Sequence, residues 1–152
     1  MPYREMFDPE LISLEMDATS KEAAFELAAC TLLKKGLVKE SYLSGLVTRE
    51  ESFPTGLITQ YLNIALPHTD SEHIIRPFVM IVRLKEEVTF EQMGDNQAMK
   101  TKDLFFLGIK DGKKQAGLLA LFMDLFMREN FVKEYISADN PAKIYQLFET
   151  NA

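Results

Sequence analysis

Two apolar runs constrain the fold of this chain more than any other feature of its sequence. Residues 77–84 are apolar except for one arginine, and residues 104–109 contain no polar side chain. A strand with one face in water alternates apolar and polar side chains, whereas an uninterrupted apolar run is typical of a strand covered on both faces. We therefore predict a sheet whose central strands lie between two layers of helices.

Helical patterns surround these runs in the sequence. In residues 21–35 the apolar side chains recur at helical spacing, and Thr19 or Ser20 can cap the first turn. A short strand is predicted before this helix, in residues 11–16. Further helices are predicted after Val38, from Lys113 onward, over residues 130–137 and from Asn140-Pro141 onward. The order of elements predicts a single α/β domain with helix, sheet and helix layers.

Size and charge limit the classes of function. The 152 residues suffice for one sizeable core, and we expect residues 1–152 to form one domain. A net charge of -6 argues against nucleic acid as a partner, because phosphate binding needs a basic surface. No apolar run approaches the roughly 20 residues that span a bilayer, so we expect no membrane insertion. The first residues lack a signal-peptide pattern, which predicts a cytoplasmic protein.

The single cysteine and the polar connections give further expectations. Cys30 excludes an internal disulfide and, beside apolar neighbours at helical spacing, is predicted to fill the core. Residues 50–56 and 93–102 are polar and contain glycine or proline, so both are predicted to be loops. Two short strands are predicted between these loops, over residues 57–60 and 62–66.

One of the two histidines, His68, follows the second of these short strands directly. Pro67 lacks an N–H group, so we expect it to end the strand and to open a backbone edge beside His68. A histidine at the rim of a rigid sheet is well placed for chemistry. The alternative interpretation, an ordinary loop histidine, stays open at this point because histidine has many non-catalytic roles.

Several kinds of site can be set aside from the motifs. The seven glycines form neither a P-loop nor a dinucleotide-binding turn. His68 and His73, with Asp70 and Glu72 between them, could gather a metal ion, but the spacing is not that of a helical pair of ligands and no further ligand is indicated. We therefore predict no metal and no cofactor. A nucleophile elbow is missing, which disfavours hydrolysis without excluding a Ser-His-Asp arrangement.

Histidine itself remains as a nucleophile. A neutral imidazole has a free lone pair near pH 7 and can attack a phosphoryl group. The product is anionic and needs a cation or hydrogen-bond donors beside it. Arg49 is the predicted cation, and Thr55 is a candidate hydroxyl donor.

Arg49-Glu50, the loop that follows it, and the Ala-Leu-Pro-His run ending at His68 resemble the signature of the enzyme IIA domains of the sugar phosphotransferase system, fructose/mannitol type. The resemblance covers nearly the whole chain. Two features look most like the galactitol-specific branch: the sequence Ser-Phe-Pro-Thr-Gly at residues 52–56 and the presence of His73. The resemblance implies a mixed β-sheet sandwiched between helices.

The resemblance also implies a function. His68 would accept a phosphoryl group from the phosphocarrier protein HPr and pass it to a cysteine of an enzyme IIB, with Arg49 neutralising the phosphoryl oxygens. Many family members have a second active-site histidine at the position of Gln115, which would leave an amide there. His73 could substitute for it or could simply face solvent. A regulatory module of the same fold, whose phosphorylation state controls a partner protein, is the alternative function.

Overall fold

The computed structural model describes residues 3–152 as one sheet with helices on both sides. The sheet contains β1 (Phe7–Met16), β2 (Gly56–Leu57), β3 (Ile64–Ala65), β4 (Phe78–Glu91) and β5 (Ala98–Gly108). The α-helices are α1 (Lys21–Lys34), α2 (Tyr42–Ser52), α3 (Gly112–Phe126), α4 (Glu129–Ser137) and α5 (Pro141–Asn151). Single turns of 3-10 helix occupy Arg4–Met6 and Ser71–His73.

The sheet is mixed, with the strand order β1-β4-β5-β3-β2. β4 and β5 form a long antiparallel pair at the centre, in which Val79 lies opposite Leu107 and Val82 opposite Leu104. β1 is parallel to β4, and β3 is parallel to β5. The two short strands β2 and β3 form an antiparallel pair at the other edge.

Each face of the sheet has its own core. On one face α1 and α2 pack on alternate side chains of the central strands, such as Phe78, Met80 and Phe106. On the other face α3, α4 and α5 pack on the intervening side chains, such as Val79 and Phe105. Because side chains of a strand point alternately to opposite faces, this arrangement requires the uninterrupted apolar runs. The prediction of a helix, sheet and helix sandwich is confirmed.

Three helices begin at side-chain caps. Ser20, Asp111 and Asn140 each accept a hydrogen bond from a backbone N–H in the first turn of α1, α3 and α5. Such a cap satisfies one of the N–H groups that a helix start leaves without an intrahelical partner. Pro141 occupies the first turn of α5, where its missing N–H costs nothing. These starts agree with the predicted ones.

Two predicted loops are partly regular structure. α2 continues to Ser52, so the first residues of the predicted loop 50–56 are helical. β5 begins at Ala98, six residues before the apolar run, and the loop predicted over residues 93–102 shrinks to a turn. The first residues of β5 pair with the last residues of β4. Buried and exposed side chains alternate in this part of β5, so it can be a strand although its sequence is polar. The two short strands are also briefer than predicted, at two residues each.

The prediction for Cys30 was wrong. Its side chain is exposed on the outer face of α1, beside Leu27 and Leu33, which are exposed as well. The buried face of this helix is instead formed by a set of smaller residues with one leucine and one phenylalanine: Ala24, Phe25, Ala28, Ala29 and Leu32. Both faces of α1 carry apolar side chains, so helical spacing alone could not tell which face is buried.

Phe105 gives a test of the second core. Its ring is fully buried and lies within aromatic contact distance of Phe122, Phe126, Tyr135 and Phe148. We expect Phe105→Ala to lower the free energy of unfolding by about 3–5 kcal/mol, because it leaves a cavity among these rings. Met127→Ala is the control; Met127 is 70% exposed, and we expect a change within about 0.5 kcal/mol. Urea denaturation measures both, and equal effects would contradict the assignment of the core.

Candidate functional site

His68 lies three residues after the short strand β3 ends and remains attached to the sheet. The backbone N–H of Leu107 donates to the carbonyl of Pro67 at 3.0 Å, and His68 forms a parallel bridge with Leu107. This bridge continues the register in which Ala65 pairs with Leu104. The strand does end before Pro67, since β3 stops at Ala65. The expectation of an open backbone edge beside His68 was wrong, because a proline that cannot donate still offers its carbonyl to the neighbouring strand.

The imidazole of His68 is held by one hydrogen bond to its own strand. Nδ1 lies 2.7 Å from the carbonyl oxygen of Leu66, and the residue is only 8% exposed. A carbonyl oxygen can only accept, so Nδ1 carries the proton and donates it. In the neutral ring the lone pair is then on Nε2. The backbone therefore fixes which nitrogen of His68 can act as a nucleophile.

The surroundings of His68 keep this ring neutral. Burial lowers the pKa of His68 below its ordinary value of 6.5, since a charged imidazolium would lose its hydration. The hydrogen bond to Leu66 acts in the opposite direction, the nearby charge of Arg49 lowers the pKa further, and Asp70 raises it. The lowered pKa favours the form with a free lone pair at neutral pH.

Arg49 is presented by the last turns of α2. Its Nη1 donates to Oδ1 of Asp70 at 3.1 Å, and its guanidinium lies over the ring of Phe53, 5.1 Å from the centroid. Its Nε is buried and has no hydrogen-bond partner within residues 3–152. Since a buried N–H without an acceptor is unfavourable, this side chain has donor capacity left for an anion.

Thr55 is tied to a buried carboxylate. Its backbone N–H and its hydroxyl both donate to the side chain of Glu50, at 2.8 and 2.7 Å. Burial raises the pKa of Glu50, and the two hydrogen bonds from Thr55 lower it. Because the hydroxyl proton already points to Glu50, Thr55 in this arrangement is not the free donor that we expected. It fixes the loop after α2 instead.

A cavity of about 370 Å³ adjoins His68 and Arg49. Its walls come from both helical layers and from the turn between β4 and β5. The α2 side contributes Arg49, Ser52, Phe53, Pro54 and Thr55; the turn contributes Met93, Gly94 and Asn96; and α3 contributes Leu119 and Met123. The cavity is large enough for a phosphoryl group, and two of its apolar lining residues, Phe53 and Met123, are exposed.

The two remaining predicted residues lie near this cavity but do not line it. Gln115 is in the first turns of α3, one turn before Leu119 and on the same side of the helix. His73 is in the 3-10 turn, where its Nδ1 lies 2.8 Å from the hydroxyl of Ser41 and its ring contacts Gly45. It borders a separate cavity, which shares Arg49 with the one at His68.

Two charged residues of the site were missed in the sequence. Asp70 pairs with Arg49, although its position two residues after His68 suggested only a metal ligand. Glu50 anchors the loop through Thr55, although in the sequence it was noted only as part of a family signature and no contact was predicted for it. The one sequence signal for the Glu50–Thr55 contact was their spacing of five residues, with Glu50 directly after the helical Arg49. Their pairing depends on how α2 ends, which the sequence left open.

Neither a metal-binding cluster nor a membrane-spanning helix is found within residues 3–152. No group of three or more His, Cys, Asp or Glu side chains in this part of the chain is placed to hold a metal ion. None of the helices described has both the length and the apolar character that crossing a membrane requires.

The chain matches a family model along almost its full length. The model is that of the "Phosphoenolpyruvate-dependent sugar phosphotransferase system, EIIA 2", and it covers residues 5–151. Curated relatives include the galactitol-specific EIIA component of Escherichia coli K12, 26% identical over 70% of this chain and 71% of the relative. The mannitol-specific enzyme IIA component of Bacillus subtilis is 27% identical over 91% of this chain and 93% of the relative.

Solved structures show the same fold. One is the complex of the mannitol enzyme IIA with phosphorylated enzyme IIB from Escherichia coli, with a TM-score of 0.77, 19% identity and coverage of 95% of this chain and 99% of the other. Another is the nitrogen regulatory protein IIA-Ntr from Neisseria meningitidis, with a TM-score of 0.72, 19% identity and coverage of 97% and 99%. At these identities the likeness establishes the fold alone.

The lowered pKa of His68 predicts a pH dependence. The unfolded chain binds the His68 proton at a higher pH than the folded protein does, so His68 makes the fold less stable as the pH falls through about 6.5 toward the folded pKa. Above that window it has no effect. NMR titration of the His68 ring should give a midpoint below 6.5, with the signals assigned by their loss in His68→Gln. This variant should also lose the corresponding slope of stability against pH. A midpoint at or above the ordinary value would contradict the assigned surroundings.

Proposed function

Since this chain belongs to the EIIA 2 family of the phosphoenolpyruvate-dependent sugar phosphotransferase system, we propose that it carries a phosphoryl group on His68 between two partner proteins. The donor is HPr, and the acceptor is a cysteine of an enzyme IIB. Residues 1–152 act as one EIIA type 2 domain in this proposal. The location is the cytoplasm, because phosphoenolpyruvate, the source of the phosphoryl group, is a product of cytoplasmic metabolism.

The observation that carries this proposal is the hydrogen bond from Nδ1 of His68 to the carbonyl of Leu66. It leaves the lone pair on Nε2, which forms the new N–P bond as the bond between phosphorus and the donor breaks. The proton on Nδ1 stays in place, and the positive charge that develops on the ring is stabilised by the carbonyl dipole. Transfer to the enzyme IIB thiolate reverses these changes, with an S–P bond forming as N–P breaks.

Arg49 is the proposed counterion of the phosphoryl group. It is close enough to lower the pKa of His68, and its Nε has no acceptor in residues 3–152. In the unphosphorylated protein Asp70 holds one end of the guanidinium. A phosphoryl group on His68 would compete with this carboxylate, so the Arg49–Asp70 pair keeps the cation near the site without satisfying it fully.

The other predicted residues have supporting roles in this proposal. Thr55, held by Glu50, fixes the wall of the cavity beside His68. Gln115 lies one helical turn from the cavity, where its amide could donate to a phosphoryl oxygen. His73 supports the Asp70 segment: its backbone N–H donates to the carbonyl of Asp70 at 3.3 Å.

The rim of the cavity supplies an apolar surface for the two partners. Phe53 is 62% exposed, and Met123 on α3 is also exposed. Both line the cavity at His68, so a partner that buries them would also exclude water from the reacting atoms. We propose that HPr and enzyme IIB use this same surface in turn, since both must bring their reacting group to Nε2.

For the sugar, we propose galactitol or a related sugar alcohol. This proposal is supported by the sequence of residues 52–56 and by the similarity to the galactitol-specific relative. The mannitol-specific relative is about as similar in sequence, so the proposal extends to sugar alcohols as a class.

A regulatory role is the second candidate, and the fold shared with IIA-Ntr favours it. In that case phosphorylated His68 would control the binding of a partner protein. It would not pass the phosphoryl group onward.

Incubation with phosphoenolpyruvate, enzyme I and HPr tests the carrier function. We expect mass spectrometry to show one added phosphoryl group on the wild type and none on His68→Gln, with His73→Gln as the matched histidine control that keeps its phosphate. An unmodified wild type, or a phosphorylated His68→Gln, would overturn the proposal. Adding the cognate enzyme IIB should then remove the phosphate within seconds; retention of the phosphate would favour the regulatory function.

Arg49→Ala should slow phosphorylation by HPr about 100-fold to 1,000-fold, the usual effect of removing a donor to a developing anion in a partly dry site. The fold should persist, because an exposed or half-exposed ion pair contributes little to stability. Arg128→Ala is the matched control, since Arg128 is exposed and paired with Asp124 on α3. Initial rates from quenched reactions measure the effect, and equal rates for the two variants would refute the role of Arg49.

A further inference from the structure

The outer face of α1 is apolar where a surface helix is ordinarily polar. Leu27 and Leu33 are 43% and 44% exposed, and Cys30 between them is exposed as well. These residues are three apart, so their side chains follow one another along one side of the helix. The opposite side of α1 is buried against the sheet and α2. α1 therefore has a second apolar face with no partner within residues 3–152.

The sequence of this face is symmetric about Cys30. Leu27 and Leu33 lie three residues before and after it, and the exposed residues Glu26 and Lys34 lie four before and after. The apolar positions thus repeat when the helix is reversed, whereas the charges change sign. An antiparallel copy of the same helix complements this pattern, because it would place Leu beside Leu and Glu beside Lys.

We propose that this face binds a second copy of the chain, with the two α1 helices antiparallel and Cys30 at the two-fold axis. At the axis Cys30 of one copy lies beside Cys30 of the other. Glu26 of each copy then lies beside Lys34 of the other. A parallel pair would instead place Glu26 beside Glu26 and Lys34 beside Lys34, which is repulsive. The charge pattern therefore selects the antiparallel arrangement.

Cys30 suits the crossing point because its side chain is small. Packed helices have axes about 8–10 Å apart, and Cα atoms lie about 2.3 Å from each axis. Two Cα atoms that face each other at the crossing are then about 3.4–5.4 Å apart. This range overlaps that of a disulfide, roughly 4.4–6.8 Å. One helix pair buries less surface than a standard interface of about 1,600 Å², so we infer a weak, reversible dimer.

The dimer leaves the proposed phosphoryl site free. None of the residues on this face of α1 lines the cavity at His68, which is formed by α2, α3 and the turn between β4 and β5. The inference does not rest on the proposed function. A chain that failed to accept phosphate could still dimerise, and a monomer could still accept it.

Oxidative cross-linking tests the position of the axis. Cys30 is the only cysteine, so any disulfide-linked dimer must join Cys30 to Cys30. With an added oxidant such as copper phenanthroline, we expect rapid formation of this dimer in the wild type and slow formation in Leu27→Asp, in which the same thiol is equally exposed. Equal rates would mean that the cross-link records random collisions, and the proposal would fail.

Charge reversal tests the antiparallel arrangement. In sedimentation equilibrium we expect the wild type to dimerise, and Glu26→Lys and Lys34→Glu each to associate about tenfold more weakly, because both ion pairs become repulsive. A mixture of the two variants should recover the association, since each introduced charge then lies beside an opposite charge on the other copy. The wild type remaining monomeric at all concentrations, or a mixture no stronger than its components, would overturn the proposal.

Discussion

The antiparallel pairing of β4 with β5 is the constraint on which the rest of the structure depends. These strands are apolar on both faces over residues 78–82 and 104–108, so each needs helices above and below it. α1 and α2 cover one face, and α3 to α5 cover the other. Removing either layer would expose a complete row of large side chains to water. The cost is about 25 cal/mol for each Å² of apolar surface exposed. The two layers are therefore required together.

The same pair of strands positions the chemistry. β5 carries β3 as a parallel neighbour, and Leu107 extends this pairing to His68. His68, the proposed phosphoryl acceptor, is thus held against a central strand of the sheet, although β3 before it contains only two residues. Helix α2 then brings Arg49 to His68 from one layer, and α3 closes the cavity from the other. A site between two layers can be dry and still reach the surface at its rim.

The site departs locally from what stability alone would favour. A histidine is nearly buried without a charged partner in direct contact, an arginine Nε lacks an acceptor in residues 3–152, and Glu50 is a buried carboxylate. Two hydrogen bonds from Thr55 offset part of the cost of burying Glu50. The lowered pKa of His68 and the incomplete pairing of Arg49 both fit the proposed binding of a phosphoryl dianion.

The sequence by itself determined the architecture and indicated the candidate site residues. Apolar runs at residues 77–84 and 104–109 required a covered sheet, and the caps at Ser20 and Asn140 defined helix starts, because burial and capping are local patterns. Only the tertiary structure decided which face of α1 is buried, since Cys30 and Ala29 lie in equally apolar surroundings in the sequence. It also decided that Pro67 stays paired, that Glu50 binds Thr55 and that Asp70 binds Arg49. These contacts join segments whose distances depend on the end of α2 and the register of β3, and no local pattern specifies either.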